Sequence, residues 1–227
     1  MIEGIKRYRQ KKYREALELF LALHVDDTEQ ATLSYYVGLC YTHLGKHDEA
    51  LLYLEQVVNS DIGFLHIYQS RMIMGYIYAV TGRYRLAEFE FNRLLEDGYE
   101  SAKVYAALAY VVYAQGKTAP AIANLERALK IDSNNANALN SMGFILAENN
   151  IQIPAALGYC SRAITIRPEN PAYLDSYALA LRRFGDLQRS KEVYERAIRI
   201  SSGNGEIVAH YRELLDSVPR RSTGDGQ

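Results

Sequence analysis

The chain has 227 residues, 48% of them hydrophobic, and a formal net charge of −1. That length and apolar content suffice for an extended core, and the near-neutral charge excludes a global field drawing the protein to nucleic acid or anionic lipid. No apolar run approaches the roughly 18 residues of a membrane span, and the two cysteines, Cys40 and Cys160, form neither a disulfide framework nor a zinc pattern.

A basic stretch opens the chain (Lys6, Arg7, Arg9, Lys11, Lys12). The segment Ala16 to Val25 behind it carries Glu18 and helical spacing, so it reads as a helix and not a signal-peptide core. From there a small residue recurs at Gly4, Gly38, Gly75, Ala109, Gly143 and Ala178, with steps of 34, 37, 34, 34 and 35. A second series runs Ala16, Ala50, Ala87, Ala121, Ala156 and Ser190, with steps of 34, 37, 34, 35 and 34. A period near 34 marks paired helices that stack into a solenoid. The pairs are predicted at 1–10 and 12–24, 30–44 and 47–59, 65–81 and 84–96, 102–115 and 118–130, 136–149 and 153–166, and 171–184 and 187–200.

Turn glycines stand between the members of four pairs: Gly45, Gly82, Gly116 and Gly185. Glycine there suits a left-handed helix end. Pro120 and Pro154 fall in the first turn of a second helix, where a missing N–H costs little. Pro168 and Pro171 lie between pairs five and six, and Pro219 follows the last helix. None sits in a helix interior, where each would cost about 3 kcal/mol. The 37-residue steps place three inserted residues near Ser60 to Phe64. The 35-residue steps place one in the turn Asn149-Asn150-Ile151-Gln152. A further amphipathic helix over 205–217, with Ile207, Tyr211, Leu214 and Leu215 on one face, is expected to cap the array. The tail 218–227 is expected to be disordered.

The register resembles the tetratricopeptide repeat family: Val37-Gly38, Tyr41, Gly45, Ala50 and Leu54; Met74-Gly75, Tyr78, Gly82, Ala87 and Phe91; Leu108-Ala109, Gly116, Ala121, Leu125 and Ala128; Met142-Gly143, Leu146, Ala156, Cys160, Ala163 and Pro168; Tyr177-Ala178, Gly185, Tyr194 and Ala197. The resemblance covers nearly the whole chain. It implies an all-α fold, a right-handed α-solenoid of about six helix-turn-helix repeats plus a C-terminal capping helix. The repeats run approximately 1–30, 31–67, 68–101, 102–135, 136–170 and 171–204, in one domain over 1–217. The pattern is departed from at the large-residue position, where Ser34, Arg71, Tyr105, Leu139 and Leu174 stand in a chain without tryptophan. Ser190 in place of alanine suggests looser packing in repeat six. The phrase Asn170-Pro171-Ala172-Tyr173-Leu174-Asp175-Ser176 looks like the repeat joints of bacterial members.

In this family the first helix of each pair lines an inner face. By offset, that face holds Tyr35, Leu39, Met72, Tyr76, Tyr110, Tyr113, Asn137, Asn140, Phe144, Asp175 and Arg182, running from aromatic and apolar to amide and charged. Such a line suits a partner peptide or helix with an apolar stretch and a polar end. The same tyrosines can instead pack between repeats. One subgroup clamps a C-terminal carboxylate with Lys and Asn; Tyr35, Leu39, Met72 and Tyr76 occupy those positions here, so that clamp is absent.

His43 and His47 stand four apart, but Gly45 and Lys46 break the helix between them, which argues against a metal pair. The chain has no Gly-rich phosphate loop, nucleophile elbow or HExxH motif. Asp26 and Asp27 before Thr28 read as helix caps. The expectation is therefore a non-catalytic interaction scaffold that needs no cofactor and binds a protein or peptide partner rather than nucleic acid. The alternative is a self-associating assembly protein docking through an uncovered face of its first repeat, as a homo-oligomer. The location expected is the cytoplasm, or the periplasm if a leader was removed ahead of Met1.

Overall fold

The computed structural model describes residues 1–61 and 63–217; the expectation for the tail 218–227 lies outside the described residues. Thirteen helices account for the regular structure among them. They are α1 (Ile2–Arg9), α2 (Tyr13–Leu21), α3 (Asp27–His43), α4 (His47–Val58), α5 (Phe64–Val80), α6 (Tyr84–Glu96), α7 (Ala102–Ala114), α8 (Thr118–Ile131), α9 (Ala136–Glu148), α10 (Ile153–Ile166), α11 (Pro171–Phe184), α12 (Leu187–Ile200) and α13 (Gly205–Ser217). The chain divides into two compact units, Met1–Lys117 with α1 to α7, and a second that begins at Thr118 and holds α8 to α13. In the first unit each helix packs on the next, and α3 also touches α5 as α5 touches α7. In the second, α9 packs on α8, α10 and α11, while α13 lies against both α12 and α11.

The helices fall where the small-residue series places them, with two shifted ends. α3 starts three residues earlier than predicted, because the Asp26 carboxylate accepts from the backbone N–H groups of Thr28 and Glu29, each at 3.1 Å. That satisfies two donors that an uncapped helix leaves orphaned. α2 stops at Leu21, short of the predicted 24.

The turns inside the pairs share one backbone solution. Gly45, Gly82, Gly116 and Gly185 sit at φ between +72 and +96°. The next N–H then reaches back five residues to a helix-end carbonyl, as Lys46 does to Tyr41 at 3.0 Å and Asp186 to Leu181 at 3.0 Å. Repeat five keeps the same bond (Ile151 N–H to Leu146 at 2.8 Å) without glycine. Its inserted residue is absorbed by two left-handed positions, Asn150 and Gln152, the latter leading directly into α10.

In repeats one to three the glycine of the first helix faces a large residue of the second. A Cβ added to Gly4 would lie 2.5 Å from the Phe20 ring, one on Gly75 2.5 Å from Phe91, and one on Gly38 2.8 Å from Leu54. At Gly143 the added methyl would strike the Cys160 sulfur, the Ala156 carbonyl at 2.9 Å and the Cys160 backbone nitrogen at 3.0 Å. In repeat six Ala178 and Tyr194 share one buried cluster with Leu174, Ala197, Ile207 and Leu214. The two cysteines are part of this packing. Both are fully buried, and burial pushes each thiol up to about 12, far from the thiolate a nucleophile requires.

Where the family pattern lapses, the substitutes bring their own partners. Ser34 donates to Gln56 at 2.7 Å, and Tyr105 to Glu100 at 3.0 Å. Arg71 holds Glu90 at 2.8 Å with Asp97 at 3.9 Å, the Arg71 and Glu90 side chains only 11% and 7% exposed. Burial pushes the Glu90 carboxyl up despite that guanidinium. Ser190 corrects the expectation of loose packing: it is fully buried and donates to the Ala178 carbonyl at 2.7 Å, tying the two helices of repeat six together.

Two glycines of repeat five should respond with opposite sign to the same change. Gly143→Ala adds a methyl against backbone that cannot retreat, at a cost of about 1–3 kcal/mol. Gly158, in α10, has nothing within 4 Å of its added Cβ, so Gly158→Ala should stabilise by about 0.5–1 kcal/mol through helix propensity. Urea unfolding followed by circular dichroism measures both. Equal or inverted shifts would contradict the close-approach account.

Candidate functional site

In the first unit the predicted inner-face residues separate by burial. Tyr35 and Leu39 are each 8% exposed. The Tyr35 hydroxyl donates to Gln69 of α5, and its ring meets His66 edge-on at 4.6 Å. Leu39 packs with Tyr35, Val57 and Ile73. These two residues stitch α3 to its neighbours and offer little surface.

Met72, Tyr76 and Tyr110 are brought together. On α5, Met72, Tyr76 and Val80 stand four residues apart, so they form one stripe. On α7, Lys103, Ala107 and Tyr110, spaced by four and three residues, form another. Between the stripes lies a pocket of about 430 Å³, floored by Ala79, Phe91 and Val111. Tyr76 is 57% exposed and Tyr110 55%. Alanine at 79 and 107 leaves the space that a larger residue would fill. Tyr113, one turn beyond Tyr110, is half-buried.

In the second unit three polar residues of the predicted line, Asn137, Asp175 and Arg182, are tied to the first helix that follows theirs or to α13. Asn137 is exposed, and its Oδ1 accepts from the Tyr173 hydroxyl of α11. Asn140 and Phe144 are half-buried, and Asn140 Oδ1 is enclosed without a hydrogen-bond partner among the described residues. Asp175 and Arg182 are engaged by α13. His210 Nδ1 lies 2.9 and 3.1 Å from the two Asp175 oxygens, and Arg182 pairs with Glu213 at 3.3 Å. Ile207 and Leu214 of α13 are buried against α12 and α11. α13 thus acts as the first helix of a further pair and covers the part of α11 predicted to face a partner.

Two features were missed by the sequence reading: the hold of α13 on Asp175 and Arg182, and Lys103 on the pocket. A signal for the first was present. Tyr8–His43, Tyr35–Gln69, Asn137–Tyr173 and Asp175–His210 are all hydrogen-bonded pairs separated by 34 to 36 residues. Each of these bonds joins consecutive first helices at a separation close to one repeat length.

His43 and His47 end up on different helices. His43 closes α3, stacked on Tyr13 at 4.1 Å and hydrogen-bonded to Tyr8 at 3.1 Å, while His47 opens α4. Among the described residues no group of three or more His, Cys, Asp or Glu side chains is placed to hold a metal ion. No described helix is long and apolar enough to cross a membrane.

The α13 contact carries a pH dependence. Burial works against the charged His210 ring, but the hydrogen bond and charge of Asp175, with Glu206 and Glu213, outweigh it and raise the His210 pKa above its usual 6.5. A raised histidine pKa means that the charged ring stabilises the docked helix below the unfolded-state value, and that this contribution is lost as pH rises through the folded one. Amide protection of α13, corrected for intrinsic exchange, should be higher at pH 6 than at pH 8. In His210→Gln that difference should vanish; a difference that persists in the variant rules out His210 as its source.

Three stretches of the chain match family models: residues 3–63 and 172–204 a tetratricopeptide repeat, and residues 109–150 a TPR repeat. Together they take in more than half of the sequence. The type IV pilus assembly protein PilF of Pseudomonas aeruginosa is 26% identical over 157 residues, 67% of this chain and 62% of the relative. The BBSome complex member BBS4 of Bos taurus is 22% identical over 201 residues, 88% of this chain and 38% of the relative. The chain thus spans between 38% and 62% of the length of these curated relatives. Among solved structures, YrrB, a TPR protein with an unusual peptide-binding site, has the same fold with a TM-score of 0.59 at 18% identity, over 88% of this chain and 97% of that one. With repeat models matching in three separate stretches and helix pairs that repeat one glycine-marked contact, the chain belongs to the tetratricopeptide repeat family.

Proposed function

We propose that this protein is a non-catalytic interaction scaffold that holds a peptide or helix of a partner protein on the first-helix face of its N-terminal unit. The observation that carries this reading is the α5–α7 pocket. There Met72, Tyr76, Val80 and Tyr110 line an open apolar recess while their counterparts Tyr35 and Leu39 are buried. Exposed tyrosines beside an apolar recess supply contact area and a hydroxyl at low entropic cost, which suits recognition of a chain segment. The peptide-binding site of YrrB and the assembly role of PilF point the same way. The remaining positions of the predicted line, from Asn137 to Arg182, are read as linking repeats more than as meeting cargo.

Changing Tyr76 and Tyr110 together to Ala should remove most partners captured from the native cell by affinity pull-down. Both side chains are more than half exposed, so the helical signal and urea midpoint should stay close to those of the parent. Unchanged capture would count against the pocket.

A second reading, self-association through α1, is supported by Ile2, which is 86% exposed and lines a recess of about 500 Å³ with Ile5, Lys6, Arg9 and Gln10. Sedimentation at high concentration decides it: association that Ile2→Ser and Ile5→Ser abolish is expected, and a strict monomer removes the reading.

A further inference from the structure

We infer that the α5–α7 pocket selects a peptide segment that combines apolar side chains with an acidic side chain, the carboxylate being met by Lys103. This rests on the scaffold reading above and names the chemistry of its cargo. Of the nine residues lining the pocket, Lys103 alone carries a charge, and no carboxylate lines it. Lys103 is exposed and makes no ion pair or hydrogen bond among the described residues. Neighbouring cations differ: Arg71 of α5 holds Glu90 at 2.8 Å, and Arg93 of α6 holds Glu96 at 3.0 Å.

An ammonium at the edge of an apolar recess discriminates by sign. A basic segment would meet it with no acid to offset the repulsion. A wholly apolar segment would cover the ammonium's surroundings and return nothing for the lost hydration. An acidic segment gains a charge pair on a surface that its own apolar residues shield from water. Lys103 and Tyr110 are seven residues apart on α7, about 10 Å along the helix. That distance is roughly the reach of three residues of extended chain. The carboxylate should therefore lie about three positions from the residue seated between Tyr76 and Tyr110.

The test uses a library of random twelve-residue peptides displayed between carrier segments, so that neither end is free, and selected on the full chain. Enriched sequences should pair Leu, Ile, Met or Phe with Asp or Glu about three positions away. The strongest, synthesised with acetylated and amidated ends, is then titrated by fluorescence anisotropy. Lys103→Gln should weaken it roughly three- to five-fold, the scale of a partly exposed ion pair, and should leave its Glu→Gln analogue unchanged. Tyr76→Ala should weaken both peptides alike. Enrichment without acidic residues, or indifference of the acidic peptide to Lys103→Gln, overturns the charge pairing; if Tyr76→Ala still matters, the scaffold reading stands. Binding only of peptides ending in a free C-terminal carboxylate also overturns the side-chain assignment. No enrichment, or enriched peptides indifferent to Tyr76→Ala and Tyr110→Ala, overturns the scaffold reading at this pocket and the inference with it.

Discussion

The structure depends on how closely the two helices of a pair can approach. At Gly143 that approach leaves no room for a methyl group, because backbone atoms of Ala156 and Cys160 already stand at 2.9 and 3.0 Å from where it would be. Gly4, Gly38 and Gly75 meet a side chain instead, respectively Phe20, Leu54 and Phe91. In those three repeats the large residue fills the space that the glycine opens, a knob and a hole 16 residues apart; in repeat five Cys160, 17 residues on from Gly143, takes that place. Close packing of this kind is intolerant of added volume. Once the contact is set, it determines which stripe of the first helix faces inward to its partner and which stripe is left to neighbours and solvent.

The pairs then join through a second, polar layer of contacts. Consecutive first helices hydrogen-bond to one another about one repeat length apart: Tyr8 to His43, Tyr35 to Gln69, Asn137 to Tyr173 and Asp175 to His210. The polar substitutes at core positions behave alike. Arg71 is held by Glu90, Ser34 by Gln56, and Ser190 by the Ala178 carbonyl. A buried polar group without a partner costs more than a satisfied one contributes. Partners on adjoining helices turn each exception into a register-specific tie, and such ties favour one stacking arrangement over slipped alternatives.

The same ties decide where a surface for other molecules is left over. Around α3 the tyrosine is consumed by Gln69 and His66, and around α11 the acid and the arginine are consumed by α13. On α5, Met72 stands where α3 carries Tyr35 and has no hydroxyl to reach across to α7, and Ala79 and Ala107 add only methyl groups to the recess. A recess results because the stitching lapses there. Its character is apolar with one lysine, set by what did not form a tie.

The sequence by itself determined the number of helix pairs, their boundaries to within a few residues, and the positions of close approach. These are local or strictly periodic features: a glycine at a helix end, a proline in a first turn, a small residue every 34 to 37 positions. The early start of α3 was readable in part, since Asp26 was recognised as a cap. What the sequence could not decide was which residues of one nominal face remain open. Tyr35 and Tyr76 occupy the same face by offset, yet one is 8% exposed and the other 57%. The difference lies in what the neighbouring helix presents, Gln69 and His66 of α5 for the first and the small Ala107 of α7 for the second. Only tertiary structure brings those neighbours together, because burial is a property of the assembled pair of surfaces and not of either strip of sequence.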